Sequence, residues 1–425
     1  MRKIFPVLLM AALSPAKADT LINCDRLLDG ESASLQINKT IQIKDNRIVA
    51  IHDKPAKPEG GHRTIELGDM TCMPGLIDAH VHITSQQSPN RFTDRFTKDP
   101  ADQAFAAVPY AERTLMIGFT TVRDLGSSGN LSINMRDAIN NGHIIGPRIF
   151  TAGKSLATTG GHADPTNGTN QKFRGNPGPK EGVVNSTSDA IKAVRQRYKE
   201  RADLIKITAT GGVLSEASSG QNSQFTEQEL DAIISIAKDY GFKVAAHAHG
   251  KEGMKRAVAA GVDSIEHGTY MDVETMLLMK RKGTAYVPTI IAGKFVEEKS
   301  KIDGYFSETV RPKAATIGPL IQDTLARAYK EGVLIVFGTD SGVSPHGDNW
   351  KEFGYMVEAG MPEVEALYSA MKPGAVLLGK ESDLGTLEAG KLADVIAIKG
   401  NPLVDISRMQ HVRFVMKDGQ IFKQP

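Results

Sequence analysis

A basic stripe is missing from this chain. Its 51 Lys and Arg stand against 49 Asp and Glu, a formal charge of +2, and they are scattered. That argues against nucleic acid or an anionic membrane surface as a partner. Beyond residue 18 no apolar run is long enough to cross a bilayer. No glycine-rich phosphate fingerprint follows the first βα strand candidate, which an open doubly wound sheet would want. Gly153-Lys-Ser155 has the tail of a P-loop, but the required first glycine is Arg148. Cysteine is scarce, with Cys24 and Cys72 the only two. These absences leave a small-molecule or peptide partner as the default.

What is present begins with a leader. Residues 1–3 are a basic start, 4–13 an apolar core, and Ala16-Lys-Ala18 a small-x-small cleavage site. This reads as a secretory signal peptide of residues 1–18, with a periplasmic or secreted destination and a mature start at Asp19. Its core is too short to serve as a stable membrane anchor. In an oxidising compartment two cysteines can pair, and a Cys24–Cys72 disulfide is expected.

Residues 19–72 alternate short β-rich runs with turns, and Asp45 and Asn46 stand where a hairpin needs turn residues. This segment is too small to bury a core alone. The same strand and turn grammar returns near the other end, so 19–72 and 380–425 are expected to form one small β-sandwich. Between them, 73–379 alternates strand and helix patterns, the signature of parallel βα units. Strand candidates fall at 76–82, 120–124, 148–151, 204–208, 243–247, 263–267, 285–289 and 334–339. Eight alternations favour an α/β fold with a closed (β/α)8 TIM barrel. Thr226 and Glu229 predict a capping box at the start of one of its helices.

In such a barrel the chemistry sits at the C-terminal ends of the strands. His80 and His82, two apart on the first strand, share a face and can grip one ion. The fifth strand ends at His247, the sixth at His267, and the eighth is followed at once by Asp340. Singly each has a bland reading, a satisfied core histidine or a turn aspartate. Together they place five candidate ligands on one face. The fourth strand adds Lys206, whose ammonium is costly to bury unless paired or neutralised. As a neutral amine it can take up carbon dioxide and become a carbamate, an anion with two oxygens able to bridge two metals.

The order His-x-His, barrel Lys, His, His, Asp resembles the binuclear branch of the amidohydrolase superfamily. The resemblance covers nearly the whole mature chain, from Gly75-Leu-Ile-Asp-Ala-His-Val-His82 to Gly385-Thr-Leu-Glu-Ala-Gly-Lys-Leu-Ala-Asp394. Gly160-Gly-His162, Lys206-Ile-Thr-Ala-Thr-Gly-Gly212, Ala246-His-Ala-His249 and Glu266-His-Gly-Thr-Tyr270 are similar to the Xaa-Pro dipeptidase and imidazolonepropionase-related group. That group includes secreted carboxypeptidase-like dipeptidases and enzymes that hydrolyse the amide of ochratoxin A.

The resemblance implies two Zn²⁺ ions per chain, sharing a hydroxide and bridged by carboxylated Lys206. His80, His82 and Asp340 would hold the more buried ion and His247 and His267 the other. His249 also lies at the exit of the fifth strand, and His247 is chosen on its place in the family motif. Asp340 is implied as the proton carrier and His162 as a contact to the scissile carbonyl. His346 is taken as a further substrate contact. Where Xaa-Pro members commonly carry a tyrosine, four past the first histidine of the fifth strand, this chain has Lys251, which argues against strict prolidase specificity. Lys251 is instead expected to hold the free carboxylate of a C-terminal amino acid in a dipeptide or N-acyl amino acid. A homo-oligomer is expected. Two other readings are a mononuclear deaminase or imidazolonepropionase-like cyclic amidase, which would not need Lys206, and a non-catalytic metal-binding scaffold.

Overall fold

The computed structural model describes residues 19–425 apart from 33, 56–60 and 218, so the expected signal peptide lies outside the described residues. Strands from both ends of the chain pair in one sheet. From the N-terminal part come β1 (Thr20–Leu27), β2 (Gln36–Lys44), β3 (Arg47–His52), β4 (Arg63–Glu66) and β5 (Met70–Pro74). The parallel strands of the central segment are β6 (Leu76–Val81), β7 (Phe119–Asp124), β8 (Arg148–Thr151), β9 (Ile205–Thr208), β10 (Val244–Ala248), β11 (Ser264–His267) and β12 (Ala285–Val287). The C-terminal part supplies β13 (Val395–Lys399), β14 (Val412–Lys417) and β15 (Gln420–Lys423).

The terminal strands run in the order β15-β14-β13-β5-β1-β2-β3, with β4 paired to β1. In hydrogen bonding this is one sheet rather than the two faces of the expected sandwich, and its far side is drawn back on itself. Ile48 in β3 donates to Lys391 O (2.9 Å), and Ala393, just before β13, donates to Asn46 O (2.8 Å). The two hairpin tips meet there. Asp418 and Gly419 both have positive φ, as a tight hairpin turn demands, and a Cβ on Gly419 would lie 2.2 Å from Asp45 O. One apolar cluster takes Ile22, Ile41, Ile48, Val395, Phe414 and their neighbours from both termini. Cys24 in β1 and Cys72 in β5 are joined by a disulfide, as expected.

β6, β7 and β8 form a parallel three-stranded sheet, and β9 to β12 a parallel four-stranded one. Hydrogen bonds join these sheets at both junctions. After β8, Leu156 donates to Lys206 O (2.8 Å) and Thr208 donates to Leu156 O (3.0 Å). On the other side, Tyr286 donates to Leu334 O (2.8 Å), Val336 to Tyr286 O (2.9 Å) and Ala79 to Phe337 O (3.0 Å). Residues 334–339 thus run between β12 and β6 but do not form the expected strand. Their ladder is interrupted because Phe337 N–H turns to Ser369 O (3.1 Å), outside the sheet. Beneath, the buried rings of Phe119, Phe337 and Phe353 stack with centroids 4.3 to 6.3 Å apart.

Helices pack over the parallel strands. The capping box expected at Thr226 is present: Thr226 Oγ1 accepts from Glu229 N (3.3 Å), and Glu229 Oε2 accepts from Thr226 N (2.9 Å). Asp394 clamps the terminal sheet to the parallel strands. It accepts from Thr120 Oγ1 (2.9 Å), Arg148 (2.8 Å) and Asp418 N (2.9 Å), so that the entry ends of β7 and β8 are tied to the terminal sheet.

Candidate metal centre

The strand exits converge on one cavity of about 1270 Å³, lined by His80, His82, His162, Lys206, His247, His249, His267 and Asp340 among others. Local backbone explains how His267 and Asp340 reach it. Side chains alternate along a strand, so Glu266, which points inward to His80, should send His267 outward. His267 instead has φ 70°, and Asp340 φ 55°, both in the left-handed region that a β-strand avoids. Such conformations cost on the order of 1–3 kcal/mol each and persist where surroundings over-determine them.

The surroundings do so here. His267 Nδ1 lies 2.7 Å from Thr289 Oγ1, and Tyr286 donates its hydroxyl to His267 O (2.8 Å). Asp340 N donates to His80 O (2.7 Å). His80 Nδ1 is 2.9 Å from Glu266 Oε2, and His82 Nδ1 is 2.8 Å from Gly126 O, which turns the Nε2 of both rings toward Asp340 Oδ1 at 3.4 and 3.3 Å. Glu266 is in turn held by Arg123, which also donates to Ala79 O and Ser264 Oγ, all fully buried. Such outer contacts set ring orientation and tautomer in metal-binding histidines.

Two groups of donors are close enough to hold an ion: His80 with His267 and Asp340, and His247 with His249 and His267, each set lying within 4.8 Å. Asp340 Oδ1 is buried and, among the described residues, has no hydrogen-bond partner. An acceptor stranded between two imidazole nitrogens is costly unless a cation joins them, so the donor set fits a metal. Protonation agrees. Burial, then the charge of Lys206, hold His82 down to about 3 and push His80 well below its usual value. His162 and His249 are likewise lowered to about 3, chiefly by burial. Neutral rings keep lone pairs for a metal. Burial lowers Lys206 to about 8 against the pull of Glu266 and Asp340, and raises Asp340 to about 7.

The structure therefore brings together His80, His82, His162, Lys206, His247, His267 and Asp340. His247 stacks on His162 with centroids 4.3 Å apart, and its Nε2 lies 3.0 Å from Gly211 O. His162 approaches because residue 212 is glycine; a Cβ there would sit 2.1 Å from His162 Nδ1. Two expected substrate residues fall elsewhere. Lys251 is exposed on the first turn of the helix Lys251–Ala260 and does not line the cavity. His346 is buried behind the wall, stacked on Tyr110, with Nε2 2.9 Å from Ser85 O. It organises a loop rather than facing substrate. Sequence reasoning missed the roles of Glu266 and Arg123, whose signal was a charged residue inside each of two buried strands.

Known proteins share the fold and much of the sequence. The sequence matches the amidohydrolase family over residues 71–422. It is 31% identical to the ochratoxinase of Aspergillus niger, an alignment covering 98% of this chain and 89% of that protein. The crystal structure of a Xaa-Pro dipeptidase with methionine bound in the active site is similar at 54% identity and a TM-score of 0.93, covering 96% of this chain and all of the other. A prolidase complexed with N-methylphosphonate-L-proline is similar at 29% identity and a TM-score of 0.88, with 96% and 100% covered. The chain belongs to the amidohydrolase family, and is a metal-dependent hydrolase of amide or peptide bonds.

Proposed function

We propose that this chain is a secreted or periplasmic enzyme of (β/α)8 barrel form, closed through residues 334–341, that cleaves the amide bond to a C-terminal amino acid. Its substrates are dipeptides and N-acyl amino acids, with ochratoxin A, a phenylalanine amide, among them. The observation that carries this reading is the stranded Asp340 Oδ1, 3.3 to 3.4 Å from the Nε2 atoms of His82 and His80, on the wall of a cavity large enough for a dipeptide. Two relatives support the substrate class: one is named for ochratoxin, and the other holds methionine, the kind of free amino acid such cleavage releases.

His80, His82 and Asp340 would hold one zinc ion, and His247 and His267 a second, with His249 a competing donor. Lys206 would lie between as a carbamate: its neutral amine forms a bond to the carbon of CO2 and loses one proton. When bound, the ions supply an activated water at neutral pH and polarise the carbonyl. Asp340 takes the proton from the attacking water and passes it to the leaving nitrogen, which departs as a neutral amine. His162, held neutral by burial, lines the same cavity and is assigned to the developing oxyanion through a ring N–H.

The test is release of free amino acids from a dipeptide library, N-acyl amino acids and ochratoxin A by zinc-loaded protein, read by chromatography. Release that disappears on chelation and returns with zinc supports the reading. Deamination of purines or cyclic-amide opening without peptide cleavage would contradict it.

A further inference from the structure

A carboxypeptidase-like enzyme needs a cation beside the scissile amide to receive the substrate's terminal carboxylate, and Lys251 lies outside the cavity. The cations that line it are Arg91, Arg95, Lys98, Lys154 and Lys206. Lys206 sits among the metal donors. Arg95 is spent on the carbonyl oxygens of Pro165 and Asn167. Lys154 reaches Ala163 O (3.5 Å), and Lys98 lies past the end of the short helix Arg91–Thr97 that Arg91 begins. Arg91 differs in both respects. It lines the same cavity as His82, His162 and Asp340, and among the described residues no carboxylate lies within ion-pair distance of its guanidinium.

Arg91 is also held in place. Its Nη1 donates to Gln87 Oε1 (2.8 Å), which leaves the rest of the planar fork unpaired by that contact. Gln87 N donates to Gly342 O (2.6 Å), two residues past Asp340. His346 fastens the same loop from behind, with Nε2 against Ser85 O and its backbone N donating to Gln86 Oε1 (3.0 Å). The loop that leaves His82 is therefore pinned to the loop that leaves Asp340, and Arg91 ends the pinned stretch.

We propose that Arg91 is the carboxylate anchor: its guanidinium takes the free α-carboxylate of the substrate's C-terminal residue and so sets the preceding amide over the metal centre. A rigid fork suits a carboxylate in two parallel hydrogen bonds. This rests on the proposed function, of which it names the specificity residue.

The experiment compares zinc-loaded wild type, Arg91→Ala, Arg91→Lys and Arg91→Glu on N-acetyl-L-methionyl-L-methionine and its C-terminal amide, with calorimetric binding of L-methionine and L-methioninamide in parallel. Wild type should prefer the free acid, and Arg91→Ala should lose on the order of 100-fold in kcat/KM on it, as for a truncated hydrogen-bonded charge pair, with the amide little changed. Arg91→Lys should recover part of the loss, and Arg91→Glu should favour the amide. Methionine binding should weaken in Arg91→Ala whether or not peptides are cleaved, so the anchor is read apart from catalysis. Absence of peptide cleavage by wild type would overturn the functional reading alone. Equal use of acid and amide by wild type, or unchanged methionine affinity and free-acid preference in Arg91→Ala, would overturn the anchor. Metal content and melting temperature report folding, and Gln87→Ala, which only loosens Arg91, should show a smaller loss of the same kind.

Discussion

His267 Nδ1 lies 2.7 Å from the hydroxyl of Thr289, and both residues have left-handed backbone, φ 70° and 56°. Each reaches the other because its strand ends in that unfavourable turn. Thr289→Ala should leave the fold intact and weaken zinc binding by roughly 10–100-fold, the usual cost of losing a partner to a ligating histidine. Thr289→Ser should behave close to wild type. Competition with a chromophoric chelator reads both, and equal zinc affinity in Thr289→Ala would show that His267 is oriented by backbone alone.

Behind Thr289, the buried Glu352 accepts from the backbone N–H groups of Ile290 and Ile291 at 2.8 and 2.7 Å. Burial raises its carboxyl to about 8. A carboxyl whose folded pKa lies above its unfolded value of 4.5 stabilises the fold below that value and loses this contribution as pH rises through 8. Wild type should therefore lose stability relative to Glu352→Gln between about pH 4.5 and 8. Parallel denaturation curves across that range would disprove it.

Arg123 and Glu266 are buried together, 2.8 Å apart, under His80. Arg123→Met leaves the Glu266 carboxylate without its countercharge, and should cost about 3–5 kcal/mol of stability in urea titrations of metal-free protein. The double variant Arg123→Met, Glu266→Met should recover much of that loss but not metal binding, since His80 loses its partner. A single variant no less stable than the double one would refute the pairing.

The Cys24–Cys72 disulfide closes a loop with a sequence separation of 48. Replacing both cysteines by serine should lower stability by about 2–4 kcal/mol through greater freedom of the unfolded chain. Catalysis per folded molecule should be unchanged, because the bond lies in the terminal sheet. Free thiols in unreduced, denatured wild type would contradict the pairing.

The donor set was legible in sequence because strand alternation and turn residues are local, and the donors fall where alternating strand and helix patterns end. The parallel strands β6 to β12 and the hairpin at Asp45 were readable for the same reason. The eighth strand was misjudged since its interruption depends on Ser369 O, a partner that local pattern does not reveal. The inward turn of His267 was equally hidden, because positive φ at a histidine has no signal as plain as glycine. Lys251 looked close to the site in sequence, yet the helix it begins turns it to solvent. Arg91 carried no sequence signal, since only the packing of two loops brings it to the cavity.

In the proposed reaction, water enters the acyl side of an amide whose other side is a C-terminal amino acid. Hydrolysis of N-acetyl-L-methionyl-L-methionine in ¹⁸O-water, followed by mass spectrometry, tests it most directly. Zinc-loaded wild type should yield N-acetylmethionine carrying one ¹⁸O and methionine carrying none, and Lys206→Ala should yield neither above background. Label in the released methionine, or full activity in Lys206→Ala, would contradict the account.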